Sequence, residues 1–227
     1  MLFARLARPY LKISKMKIGV FDSGIGGMSV ATAIERAMPD AQVVFRNDHF
    51  HVPYGTRNIE EIYGFVLPIL ANLQEDDCDI IVIACNTVTT NLIDRLRGQL
   101  SIPLIGMEPM IKPASTLSKS GVIAICATPR TLSSPRYAAL KSMYASDLTV
   151  LEPDCSDWSS LIERTEMTET HIRRAVEPAL EVGADVIVLG CTHYHWIEAD
   201  IKQIAGDRAV VLQPEEAVIT QLRRMLT

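Results

Sequence analysis

The sequence predicts an α/β protein of two similar Rossmann-like lobes with parallel sheets, sharing one ligand cleft if the lobes face one another. Short apolar runs alternate with amphipathic stretches of helical period, the order expected when strands and helices take turns along the chain. The longer runs lack polar alternation, as strands covered on both faces do. One segment also occurs twice without gaps, DIIVIACNT at 79–87 and DVIVLGCTH at 185–193, which aligns Cys85 with Cys191. A weaker echo relates 18–21, ending in Asp22-Ser23-Gly24, to 122–125, ending in Cys126-Ala127-Thr128.

Taken in chain order, residues 1–16 carry Arg5, Arg8, Lys12 and Lys15 with no acid and are expected to form a basic N-terminal extension. Strands are expected at 17–21, 42–45, 79–84, 102–105, 121–126, 148–151, 185–190 and 209–212. Helices are expected at 28–37, 59–74, 89–99, 135–144, 169–182 and 215–225, where apolar positions recur with helical spacing. The repeat divides these elements into a first lobe of 17–103 plus 206–227 and a second lobe of 104–205.

At 227 residues the chain can build two cores without disulfides or metals. The five cysteines are odd in number and lack the paired short spacings of a zinc finger or disulfide scaffold, so free thiols in a reducing cytoplasm are expected. A hydrophobic fraction of 48% comes with no stretch of the roughly 20 apolar residues that span a membrane. The net charge of -5 gives no electrostatic case for nucleic acid. A small-molecule partner is the better expectation.

Ligands of open α/β sheets bind beyond the carboxyl ends of the strands, which is where Cys85 and Cys191 fall. Each is followed by polar residues, Asn86-Thr87 and Thr192-His193, at a point where a helix can begin. Backbone N–H groups there bind carboxylates and favour a thiolate. Cys78, Cys126 and Cys155 lack this paired context and are read as structural. The segment Asp22-Ser23-Gly24-Ile25-Gly26-Gly27 joins a strand to a helix, its glycines allowing close approach to a ligand, with neither the spacing nor the lysine of a nucleotide loop. Asp22 is either a helix cap or a carboxylate that orients a thiol or an ammonium group. A polar, aromatic loop runs from Asn47 to Thr56. No metal site is expected, because the C-x-H-x-H string of Cys191, His193 and His195 shares one face only in an extended strand.

These motifs resemble the glutamate racemase family, within the aspartate/glutamate racemase superfamily. The resemblance rests on GVFDSGIGG at 19–27, VPYGT at 52–56, ACNT at 84–87 and GCTHY at 190–194, and runs from about residue 17 almost to the C-terminus. It implies racemisation without pyridoxal phosphate or any other cofactor, with Cys85 and Cys191 as the two acid/base catalysts, Asp22 near the first and His193 near the second. It implies substrate contacts from Asp22, Ser23, Pro53, Tyr54, Gly55, Asn86, Thr87, Thr192 and His193, and a role for Glu163 in tuning the second thiol. It further implies a dicarboxylic amino-acid substrate, a supply of D-glutamate for peptidoglycan, and a family in which homodimers are common. His51 stands where the family usually has Arg, His195 where it has Pro, and Gln213-Pro214 where it has a small polar motif. Those departures leave open an aspartate racemase, or a binding paralogue without activity.

Overall fold

The computed structural model describes residues 15–226. Residues 1–14, which make up most of the expected basic extension, lie outside the described residues. Eight parallel strands form two four-stranded sheets of the same topology. In the first, β1 (Lys17–Asp22), β2 (Gln42–Asn47), β3 (Ile80–Ile83) and β4 (Leu104–Gly106) lie in the order β2-β1-β3-β4. In the second, β5 (Val122–Ala127), β6 (Thr149–Leu151), β7 (Val186–Gly190) and β8 (Val210–Leu212) lie in the order β6-β5-β7-β8. The repeated segments thus supply β3 and β7, the equivalent interior strands.

Every residue of β3 and β7 is buried, as their unbroken apolar runs require. The first sheet is covered on its two faces by α1 (Gly27–Ala37) with α10 (Glu215–Leu226), and by α2 (Ile59–Glu75) with α3 (Asn86–Arg97). The second is covered by α4 (Ile111–Leu117) and α6 (Pro135–Tyr144) on one side, and by α7 (Trp158–Glu163), α8 (Glu169–Glu181) and α9 (Glu198–Ala205) on the other. Asn58 caps α2 by accepting the Glu60 N–H, and Thr168 with His171 forms a capping box on α8. A short helix, α5 (Pro129–Leu132), follows β5 under a Thr128 cap.

The lobe boundaries differ from those expected. β4 was placed in the second lobe, yet Ile81↔Leu104 and Val82↔Ile105 are paired in the first sheet. β8, placed in the first lobe, pairs with β7 in the second. Only α10 of the C-terminal stretch returns to the first lobe, where Val218 and Leu222 join Ile18, Ile34 and Val82. An edge strand goes where backbone hydrogen bonds are offered, so the crossovers fall after β4 and after β8. No helix among the described residues is long and apolar enough to cross a membrane.

Candidate active site

β1 and β3 are neighbours, and the Ala84 N–H donates to the Phe21 carbonyl at 2.8 Å, so the Asp22-Ser23 turn and Cys85 leave the sheet together. Cys85 caps α3 at its N-terminus, and its thiol donates to Ser23 Oγ at 3.5 Å. Burial, then the charge of Asp22, pushes this thiol up to about 12, while the Ser23 hydroxyl and the Val88 N–H of the first helical turn pull the other way. Cys85 is therefore a protonated thiol at neutral pH.

Cys191 leaves β7 into a 3-10 turn, Thr192–Ile197. That turn brings His193 Nδ1 within 3.7 Å of the Cys191 sulfur and His193 Nε2 within 2.6 Å of Glu163 Oε1, at the end of α7. Burial works against a charge on His193, but the hydrogen bonds to Cys191 and Glu163 outweigh it and push the imidazole up to about 10. Glu163 is held below the usual carboxylate range, chiefly by His193 and against its own partial burial. An imidazolium beside a sulfur is the arrangement that supports a thiolate.

Asp22 makes no hydrogen bond to Cys85. Its carboxylate accepts from Gly24 N at 3.3 Å, Gly27 N at 2.9 Å and Thr192 Oγ1 at 3.1 Å, which ties the first lobe to the turn beside Cys191. It is wholly buried, and that burial raises its pKa. The same loop closes on Glu163, whose Oε1 accepts the Ile25 N–H at 3.2 Å. Glycine is needed there: a Cβ on Gly24 would stand 2.2 Å from Glu163 Oε1, and one on Gly26 would stand 2.6 Å from the His193 backbone nitrogen.

The loop after β2 folds onto the second lobe. Tyr54 Oη donates to Asp48 Oδ2 at 2.6 Å, and His51 Nδ1 lies 2.8 Å from Asp48 Oδ1. Burial and then the Asp48 carboxylate raise the Tyr54 pKa, so the phenol stays protonated. Pro53, half-buried after a cis Val52-Pro53 bond, leads into the 3-10 turn of Tyr54 and Gly55. A Cβ on Gly55 would stand 2.8 Å from Thr128 Cβ. Thr128 Oγ1 and Thr87 Oγ1 are 3.0 Å apart, with Thr131 Oγ1 3.0 Å further on, a buried hydroxyl cluster between the lobes. Asn86 gives its Nδ2 to the Met107 carbonyl at 3.1 Å, leaving a buried Oδ1 with no donor.

Of the expected residues, Cys85, Ser23, Asp22, Glu163, Thr192, His193 and Cys191 form one polar cluster about the glycine turn, while Tyr54, Thr87 and Asn86 bond to Asp48, Thr128 and Met107. The two thiols, 5% and 8% exposed, are near enough for the charge of Cys191 to act on Cys85. The open surface cavities beside His195 and beside Leu104 are lined by neither sulfur, and both thiols are buried. His195 turns away from His193, to Ser29 at 3.0 Å and Glu215 at 3.3 Å. Sequence reasoning missed Asp48, Thr128, Thr131 and Ser159, whose Oγ lies 3.5 Å from the Cys191 sulfur. Thr128 had a signal, since it ends the second copy of the weaker echo; Ser159 had none.

Known proteins share this fold. The chain is 40% identical over 216 residues to the glutamate racemase of Ralstonia nicotianae, covering 92% of this chain and 77% of the relative. Among solved structures it is similar to the Escherichia coli glutamate racemase in complex with L-glutamate and an activator, with a TM-score of 0.86, 26% identity and coverage of 93% and 82%. It is also similar to a glutamate racemase isoform of Bacillus anthracis, with a TM-score of 0.80, 30% identity and coverage of 93% and 81%. The sequence profile of Asp/Glu/Hydantoin racemases matches residues 27–222, and the chain belongs to that family of racemases.

Proposed function

We propose that the chain interconverts L- and D-glutamate by proton transfer at Cα between Cys85 and Cys191, supplying the D-isomer for peptidoglycan. The observation that carries this reading is the different surroundings of two equivalent thiols. Cys85 is kept protonated by burial and Asp22, while Cys191 lies beside the His193 imidazolium. We read Cys85 as the acid and Cys191 as the base of the pair.

In one direction Cys191, as a thiolate, takes the Cα proton while the Cys85 S–H delivers its own to the opposite face. The charge freed at Cα spreads into the α-carboxylate and returns to form the new C–H bond. Afterwards Cys191 is a thiol and Cys85 a thiolate, the state that serves the other enantiomer. Because Cα–H is a far weaker acid than a thiol, donors must meet the charge growing on the α-carboxylate. The Thr87 hydroxyl and the backbone N–H groups that open α3 and follow Cys191 are suited to that. The side-chain donors of Asn86 and Thr192 already serve Met107 and Asp22. The unpartnered Asn86 Oδ1 is instead suited to the substrate ammonium, whose N–H would satisfy a costly buried acceptor.

The test is a panel of single L-amino acids followed by optical rotation. Loss of rotation with L-glutamate, well ahead of L-aspartate, supports the assignment. Preference for L-aspartate, or inertness toward every amino acid, overturns it.

A further inference from the structure

Each thiol has one serine hydroxyl 3.5 Å from its sulfur, Ser23 for Cys85 and Ser159 for Cys191. The two serines do not occupy equivalent places. Ser23 follows β1, whose counterpart in the second lobe is β5, but Ser159 lies beyond the next strand, β6, inside α7. Inherited symmetry therefore does not explain the second hydroxyl. Something common to the two sulfurs does.

We propose that Ser159 is a positioning residue for the Cys191 sulfur, a hydroxyl that turns to suit whichever protonation state the reaction leaves there. The inference rests on the two-thiol reading above. Ser159 is buried, and the Tyr194 phenol, near enough for the Ser159 hydroxyl to act on it, already donates to the Cys155 carbonyl at 2.9 Å. Tyr194 Oη is thus left as an acceptor. When Cys191 is a thiol, its S–H donates to Ser159 Oγ, whose own proton goes on to Tyr194 Oη. When Cys191 is a thiolate, the Ser159 O–H rotates and donates to sulfur. Both states are fully hydrogen-bonded, and the change needs one hydroxyl rotation rather than a backbone movement. An acid/base group that must act in both forms needs such a neighbour.

The charged and titratable groups around this sulfur are His193 with Glu163 behind it, Asp22, Cys85, Cys155 and Tyr194. Only His193 among them donates to a Cys191 thiolate. Removing the Ser159 hydroxyl leaves that ion with one fewer donor, and a hydrogen bond to a charged group is worth about a tenfold change in its population.

The experiment compares Ser159→Ala and Ser159→Thr in the full chain. The first readout is alkylation of each cysteine by iodoacetamide at neutral pH, resolved by peptide mass. The second is racemisation kinetics. Alkylation of Cys191 is expected to fall about tenfold in Ser159→Ala relative to Cys85 in the same molecules, with recovery in Ser159→Thr, which keeps the hydroxyl. kcat is expected to fall by a similar factor with KM little changed. An unchanged Cys191-to-Cys85 ratio in a folded Ser159→Ala, or a Ser159→Thr that behaves like Ser159→Ala, overturns the proposal. Alkylation needs no substrate, so a protein that racemises nothing while showing the shift defeats the functional assignment and leaves the Ser159 role standing.

Discussion

Glu163 Oε1 sits 2.6 Å from His193 Nε2 on one side and 3.2 Å from the Ile25 N–H on the other, so one carboxylate from α7 fixes both the imidazole beside Cys191 and the glycine turn of the opposite lobe. The pair links a proton-transfer group to the contact that holds the lobes together.

Its pH dependence follows from the two shifts. His193 is pushed from 6.5 up to about 10, so the stability it contributes is fully present below 6.5 and is lost as pH rises through about 10. Glu163 is lowered from 4.5, so its share is present above 4.5 and is lost as pH falls below it. Glu163→Gln should cost about 3 kcal/mol between those limits, because it leaves a buried imidazolium without its counter-charge. Urea unfolding of both proteins near pH 6 and again near pH 10 reads the difference, which should shrink at the higher pH. An equal cost at the two values contradicts the assigned charge.

Asp22 invites a comparison of two substitutions. In Asp22→Asn the amide oxygen still accepts from Gly24 and Gly27, and the amide nitrogen donates to Thr192 Oγ1, so the fold should keep its stability to within about 1 kcal/mol. Asp22→Ala strands three buried donors and should lose about 3 kcal/mol. Asp22→Asn also removes the charge that holds Cys85 up, so the titration of Cys85, followed by thiolate absorbance against a Cys85→Ala control, should move to lower pH. A Cys85 titration that does not move excludes Asp22 as the charge acting on it.

The glycines give opposite signs. Gly26→Ala places a methyl group against the His193 backbone and should cost about 2 kcal/mol and nearly all activity, since neither backbone can yield without separating Asp22 from Thr192. Gly64, exposed inside α2 with nothing within 4 Å of a built Cβ, should gain about 1 kcal/mol as alanine. Thermal melting of the two variants checks both signs.

Asn86→Ala removes the unpartnered Oδ1 assigned to the substrate ammonium, and with it the donor to the Met107 carbonyl. The expected outcome in steady-state kinetics is a rise in KM of at least about tenfold. A KM that stays fixed while only the melting temperature falls would reduce Asn86 to a structural role.

Much of this was legible in the sequence because strand interiors and strand ends leave strong local signals. All eight expected strands overlap observed ones, and the doubled segment marks β3 and β7 with a cysteine at the end of each. The six expected helices are present, though α3 starts at Asn86 rather than Thr89, because Cys85 itself takes the cap. The short helices α4, α5, α7 and α9 escaped, being too brief for a period to show. The allocation of β4 and β8 to lobes was not legible, since an edge strand of three residues carries no mark of the sheet it joins. Ser159 lies 32 residues from Cys191, and only the fold brings the two together.

The central claim is that two sulfurs act on opposite faces of one carbon. Racemisation of L-glutamate in deuterium oxide, stopped after a small fraction has turned over and analysed by mass for each enantiomer, tests it most directly. D-glutamate carrying deuterium at Cα beside L-glutamate that still carries protium is the expected result, since the proton one thiol removes is not the one the other returns. D-glutamate that retains the original protium would mean a single group serving both faces, and would contradict it.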